Sequence, residues 1–201
     1  MILAVDIGNT NVTCGVYDGE KWVHILRLPS TLNFWNQFST LKEFDITECA
    51  ISSVVPNLIQ VYIESIRNLF QIDAHIITCQ NSGVELLVET PQDVGIDRIC
   101  NVAAAKLLVG TPAIVGDIGS ATNYDVVDEN GAFIGGAIAP GIKVAAHNLI
   151  EKAALLNETA FIVPESAVGK NTETNLQSGI MLGAIDVVDG MFTRIMGEMN
   201  W

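Results

Sequence analysis

The chain has 201 residues, of which 49% are hydrophobic and 16% charged, enough apolar material for one large core or two modest lobes and too much for a disordered chain. Its 23 Asp and Glu against 10 Lys and Arg leave a formal net charge of -13, which repels polyphosphate backbones and argues against nucleic acid as a partner. Asn101, Lys106, Pro140, Lys143 and His147 interrupt the apolar stretches before any reaches membrane-spanning length, and the first residues lack signal-peptide character, so no membrane association and a cytoplasmic location are expected.

In chain order, Ile2 to Ile7 reads as a buried strand, Asn11 to Tyr17 as its neighbour and Trp22 to Leu28 as a third, with Asp18 and Gly19 in the second turn. A polar helix is predicted over Asn33 to Glu43, then a strand, CAISSVV, that stops at Pro56. The apolar spacing of Leu58, Val61, Ile66 and Leu69 predicts a helix from Asn57 to Phe70, followed by a short strand from His75 to Thr78. After ETPQDVGIDR comes an apolar helix from about Asp97 to Val109. Beyond Gly110 the pattern starts again, with strands at Ala113 to Ile118, Asn123 to Val127 and Ala132 to Ile138 and a turn at Glu129-Asn130-Gly131. Helices are predicted from Gly141 to Leu156 and from Thr174 to Met199.

Cys14, Cys49, Cys79 and Cys100 form no CxxC pair, and His24, His75 and His147 stand alone, so neither a disulfide framework nor a zinc site is expected. The informative feature is a repeat. AVDIGNTN, Ala4 to Asn11, and VGDIGSATN, Val115 to Asn123, both follow an apolar strand with Asp-Ile-Gly and small polar residues, 111 positions apart. A hairpin turn with glycine lets a phosphate approach backbone N–H groups with no Cβ in the way. Asn9, Thr10, Asn11 and Thr13 add side-chain donors, and Asp6 suits Mg²⁺, which prefers few carboxylates plus phosphate oxygens. Asp-x-Gly also occurs in ordinary turns, where Asp bonds the local backbone; two copies at equivalent points favour phosphate binding. GxxxxGK[ST], the glycine-rich alternative, is absent.

DIGNTN at Asp6 to Asn11, SSVVP at Ser52 to Pro56, GIDR at Gly95 to Arg98, DIGSATNYDVV at Asp117 to Val127, GGAIAPG at Gly135 to Gly141 and GKNT at Gly169 to Thr172 cover nearly the whole chain. In this order they resemble the type III pantothenate kinases, or Bvg accessory factor family, of the actin-like superfamily of ATPases and sugar kinases. The resemblance implies an α/β fold of duplicated actin-like, ribonuclease H-like lobes, at 1–110 and 111–201, with mixed sheets flanked by helices and an inter-lobe nucleotide cleft. It implies a cytoplasmic homodimer that transfers the γ-phosphoryl group of ATP to pantothenate, the first step of coenzyme A biosynthesis, with Mg²⁺ and a monovalent cation, K⁺ or NH₄⁺. By the same resemblance Asp6, Ile7, Gly8, Asn9, Thr10, Asn11, Val12 and Thr13 bind ATP, with Ser120 as a further phosphate contact, and Asp117 holds the monovalent cation. Gly95, Ile96, Asp97, Arg98 and Thr172 contact pantothenate, and Asp97 is the catalytic carboxylate.

Residue chemistry leaves alternatives beside these roles. Asp97 opens a helix, where a carboxylate is favoured and caps just as readily; Arg98 suits a bidentate bond to the pantothenate carboxylate or an exposed ion pair; GKNT also reads as a helix start. Against the family pattern, Ser120 replaces Thr, Asn123 often faces a Thr, Val88 stands for Tyr, GIDR replaces GADR, and the C-terminal lobe is expected to lack its final TGG-containing segment. The alternative function is a catalytically weak nucleotide-binding or regulatory paralogue on the same scaffold.

Overall fold

The computed structural model describes residues 1–153, 156 and 158–201. The chain divides into two compact units, one of Met1–Gly110 with Gly131–Phe133, the other of Thr111–Asn130 with Ile134–Trp201. Mixed α/β structure, with sheets flanked by helices, is present as the sequence implies.

The first unit is built on strands β1 (Ile2–Ile7), β2 (Asn11–Tyr17), β3 (Trp22–Pro29), β4 (Glu48–Ser53) and β5 (Ala74–Ile76), in the sheet order β3-β2-β1-β4-β5. β1 runs antiparallel to β2 and parallel to β4. Strand alternation puts Leu3, Val5 and Ile7 of β1 on one face, where they join Val12, Cys14, Val16 and Ile51 in the core. Helix α2 (Pro56–Phe70) adds Leu58, Tyr62 and Ile66 to that core. The Tyr62 ring stacks on Phe34 at 4.2 Å and meets the edge of Phe38 at 5.4 Å. Each fully buried Leu, Ile, Val or Phe side chain of this core contributes about 1.5–3 kcal/mol. Asp6 therefore lies on the opposite face of β1, because its neighbours on both sides in the chain are committed to the core.

Two elements of this unit differ from the sequence expectation. The helix predicted at 33–43 is one α turn, α1 (Trp35–Phe38), continued as a 3₁₀ segment at Ser39–Glu43. The hydroxyls of Ser39 and Thr40 donate back to the carbonyls of Asn36 and Gln37, which competes with a regular helix. β5 ends at Ile76 instead of Thr78 because the Asn81 side chain takes the Ile76 carbonyl and the Thr78 N–H away from the ladder. Helix α3 (Ile96–Leu108) closes the unit and packs against β4.

In the second unit β6 (Ala113–Ile118) and β7 (Ala121–Val127) pair antiparallel, and β8 (Phe133–Pro140) completes a sheet of order β6-β7-β8. β7 starts two residues earlier than predicted because the turn is tight, with the Gly119 N–H donating to the Ala121 carbonyl at 2.8 Å. Gly116 makes room for the Phe192 ring, which also meets Tyr124 edge-on at 5.9 Å. Helix α4 spans Ile142–Lys152; residues 154 and 155 of the longer helix predicted there lie outside the described residues. The last predicted helix is α5 (Thr172–Gln177), a π turn at Ser178–Leu182 and α6 (Gly183–Met199). At the start of the π turn Ser178 is tied sideways, its hydroxyl donating to the Ala167 carbonyl at 2.6 Å. Among the described residues no helix is long and apolar enough to cross a membrane.

Candidate active site

In the first unit the strand registers align Thr13 of β2, Asp6 of β1 and Ser52 of β4 side by side on the face away from the apolar core. The result is a polar row across three strands, beside the turn that joins β1 to β2. Gly8 donates its N–H to the Asn11 carbonyl at 3.0 Å, closing that turn. A Cβ on Gly8 would lie 3.1 Å from the same oxygen, so the turn is tight at this point. Ser30, just after β3, holds the turn from the side: its hydroxyl donates to the Gly8 carbonyl and its N–H to the Thr10 carbonyl at 3.1 Å. Asn9 and Thr10 stay exposed at the tip.

Asp6 is exposed, and its Oδ1 accepts a hydrogen bond of 2.6 Å from the Ser52 hydroxyl. The next serine works differently. Ser53 Oγ accepts from the Val55 N–H at 3.1 Å, making a turn that delivers Pro56 to the first position of α2. SSVVP thus combines a side chain aimed at the polar row with a strand-to-helix corner.

GIDR forms the start of α3. Gly95 is the N-cap residue, and a Cβ there would overlap Asp97 Oδ1. That carboxylate folds back over the first turn and accepts the Arg98 N–H at 2.8 Å. It satisfies one of the donors that a helix start leaves open without being the N-cap, so part of the capping role foreseen for Asp97 is present. The Arg98 guanidinium lies 5.3 Å from the centre of the Phe133 ring, a cation–π contact that orients it. One helical turn beyond Asp97, Cys100 is half-buried near the Ser52 side chain. Burial raises the Cys100 thiol above its ordinary pKa, and the negative charges of Asp6 and Asp97 raise it further. Both carboxylates are therefore electrostatic neighbours of one thiol, and the first unit brings Asp6, Ser52, Asp97 and Cys100 into one neighbourhood.

The second unit holds the remaining expected residues. Asp117 pairs with Asn123 across β6 and β7, one residue before the Ile118–Thr122 pair, as Asp6 pairs with Thr13 one residue before Ile7–Val12. The Gly119-Ser120 turn rests on Gly141, whose N–H donates to the Ser120 carbonyl at 3.1 Å and whose missing Cβ leaves room for the carbonyls of Gly119 and Ser120. GGAIAPG thereby seats the second turn against the N-terminus of α4. Next to it lies an apolar cavity of about 540 Å³, lined by Ile118, Thr122, Tyr124, Ile142 and Leu149 among others and by no charged side chain. Thr172 is the first residue of α5, after the N-cap Asn171, which forms a capping box with Thr174. The helix-start reading of GKNT is present in full.

Sequence reasoning passed over Ser30, Ser52, Cys100 and Phe133. Ser52 lay inside a quoted motif, and its placement opposite Asp6 follows once β1 and β4 are known to be parallel neighbours. The other three left no signal, because their partners are distant in the chain.

The family model for type III pantothenate kinase matches residues 2–194. The chain belongs to the type III pantothenate kinase family. A type III pantothenate kinase of Thermomicrobium roseum is 39% identical over 212 residues, covering 100% of this chain and 82% of that protein. One of Agathobacter rectalis is 39% identical over 210 residues, covering 98% and 81%. Among solved structures, a Campylobacter jejuni protein described as a conserved Baf family transcriptional activator shares the fold, with a TM-score of 0.59 and 23% identity over 94% of this chain and 78% of that one. This family membership leaves the regulatory paralogue without support.

Proposed function

We propose that this chain phosphorylates pantothenate with ATP, giving 4'-phosphopantothenate and ADP, the opening reaction of coenzyme A biosynthesis. The observation that carries the reading is the pairing of Asp6 with Ser52 beside the exposed tip of a glycine-containing turn, with Asp97 in the first turn of α3, the helix that packs against β4. Those are the parts that phosphoryl transfer needs: a phosphate cradle, a cation-binding carboxylate and a second carboxylate to aim the nucleophile.

In this reading residues 6–13 receive the ATP phosphates, with Asn9 and Thr10 as exposed donors. Asp6 fits Mg²⁺: it is an exposed carboxylate with one oxygen held in place, and the hard cation favours such an oxygen, completing its shell with water and phosphate. Bound there, Mg²⁺ neutralises charge on the phosphates. Asp97 receives the hydrogen bond of the pantothenate hydroxyl and aims its oxygen at the γ-phosphorus. As the new P–O bond forms, the bond to the bridging oxygen of ADP breaks, and the hydroxyl proton leaves through Asp97 to solvent. Arg98, steadied by Phe133, meets the pantothenate carboxylate, and the backbone of Gly95 and Ile96 lines that subsite. In the second unit Ser120 adds a phosphate contact, Thr172 a substrate contact, and Asp117 an oxygen ligand for K⁺ or NH₄⁺.

We read the two units as duplicated actin-like lobes, 1–110 and 111–201, each opening with an antiparallel hairpin that carries Asp-Ile-Gly. The protein is proposed to act in the cytoplasm as a homodimer; the exposed run Leu107, Leu108 and Val109 supplies apolar surface for a second copy. The test is product identification. Incubation with ATP, Mg²⁺, K⁺ and pantothenate should yield 4'-phosphopantothenate and ADP in equal amounts by mass spectrometry. Phosphorylation of another hydroxy acid but not of pantothenate would overturn the substrate assignment.

A further inference from the structure

We infer that Ser52 is a positioning residue, which sets the Asp6 carboxylate for the divalent cation that accompanies the nucleotide. The inference rests on the functional reading above and extends it to a residue outside the turn and outside GIDR. Ser52 is 8% exposed, and a hydroxyl at that depth on a strand is unfavourable unless it is partnered. Its partner is the most chemically loaded atom nearby. The 2.6 Å bond runs between register partners of adjacent parallel strands, so the backbone of the sheet fixes both ends.

A hydrogen bond to one oxygen restricts the broad last torsion of an aspartate, and a ligand already set in its binding orientation loses less freedom on binding. A hydrogen bond to a charged group is among the stronger ones, worth a factor of about ten or more in an equilibrium it biases. Ser52 belongs to β4, the strand against which α3 packs, so the residue that holds the β1 carboxylate also sits beside the helix that carries Asp97. Because Ser53 serves the strand-to-helix corner, the two serines divide orientation and folding between them.

The experiment compares the native chain with Ser52→Ala and Ser52→Thr, measuring ADP binding by calorimetry with Mg²⁺ and again with chelator. Loss of orientation should weaken Mg·ADP binding by about tenfold in Ser52→Ala and leave metal-free ADP binding within twofold, with Ser52→Thr restoring the native value. In turnover, Ser52→Ala should raise the Mg²⁺ concentration for half-maximal rate by a similar factor. Equal weakening with and without Mg²⁺ would mark Ser52 as merely structural, and unchanged Mg·ADP binding would remove its role; either overturns the inference. If Ser52→Ala does not fold, Ser52→Cys, whose thiol is only a weak donor, is read the same way. Binding is measured without pantothenate, so absence of pantothenate turnover in the native chain would count against the functional reading and leave this comparison readable.

Discussion

The two Asp-Ile-Gly hairpins start from nearly the same residues and are supported in opposite ways. In the first, β1 lies inside its sheet, with β4 on its free side, and Ser52 of β4 reaches Asp6. In the second, β6 is the end strand of the β6-β7-β8 order, and the turn is held by the start of α4 through Gly141. The first turn is also longer, four residues between Ile7 and Val12 against three between Ile118 and Thr122. A repeated motif therefore specifies a repeated hairpin, while each copy takes its support from a different neighbour.

Three experiments probe the difference between the two hairpins and the units that carry them. The largest effect is expected from Asp6→Asn, which should lower kcat by about 10²–10³-fold, the range seen when one preorganised electrostatic partner is removed. Asp117→Asn should instead raise the K⁺ concentration needed for half-maximal rate; equal losses of kcat in both variants would erase the distinction between the hairpins. Next, Gly141→Ala forces a Cβ into the Gly119 and Ser120 carbonyls and should cost about 1–3 kcal/mol, lowering Tm by several degrees in a thermal melt. Gly8→Ala meets one oxygen at 3.1 Å and should cost less than half as much.

The third effect is absent at neutral pH. All four cysteines belong to the first unit, and burial pushes the thiols of Cys14 and Cys49 up to about 12 from 9.0. A raised pKa in the folded chain means that the unfolded chain loses its protons first. Stability is therefore unaffected by these thiols below pH 9 and falls as pH rises from 9 towards 12, where the unfolded thiols ionise and the folded ones do not. Denaturant unfolding at pH 8 and pH 10 should show this loss, and Cys14→Ala should reduce its slope.

Strands were the most legible part of the sequence, since apolar runs bounded by turn residues, such as Ile2 to Ile7 before Gly8, specify extended segments, although β1, read as a buried strand, buries only Leu3, Val5 and Ile7 and leaves Asp6 exposed. β1, β2 and β6 end where the pattern says. Side-chain competition was not legible: Ser39 and Thr40 turn a helix into 3₁₀, and Asn81 cuts β5 short, by bonds whose geometry no periodicity reports. The same divide runs through the site. Asp6, Gly8 and Asp97 are visible because local motifs surround them. Ser52 and Phe133 gain meaning only when β4 lands beside β1 and when the chain after β7 returns to Arg98.

In the proposed function Asp97, at the start of α3, aims the pantothenate hydroxyl while residues around Asp6 hold the nucleotide. Rapid-quench measurement of a single turnover, with MgATP bound and pantothenate saturating, tests it most directly in the native chain and in Asp97→Asn. Transfer should slow by about 10²–10⁴-fold in the variant, with ATP affinity changed less than twofold. Transfer at the native rate in Asp97→Asn would contradict it.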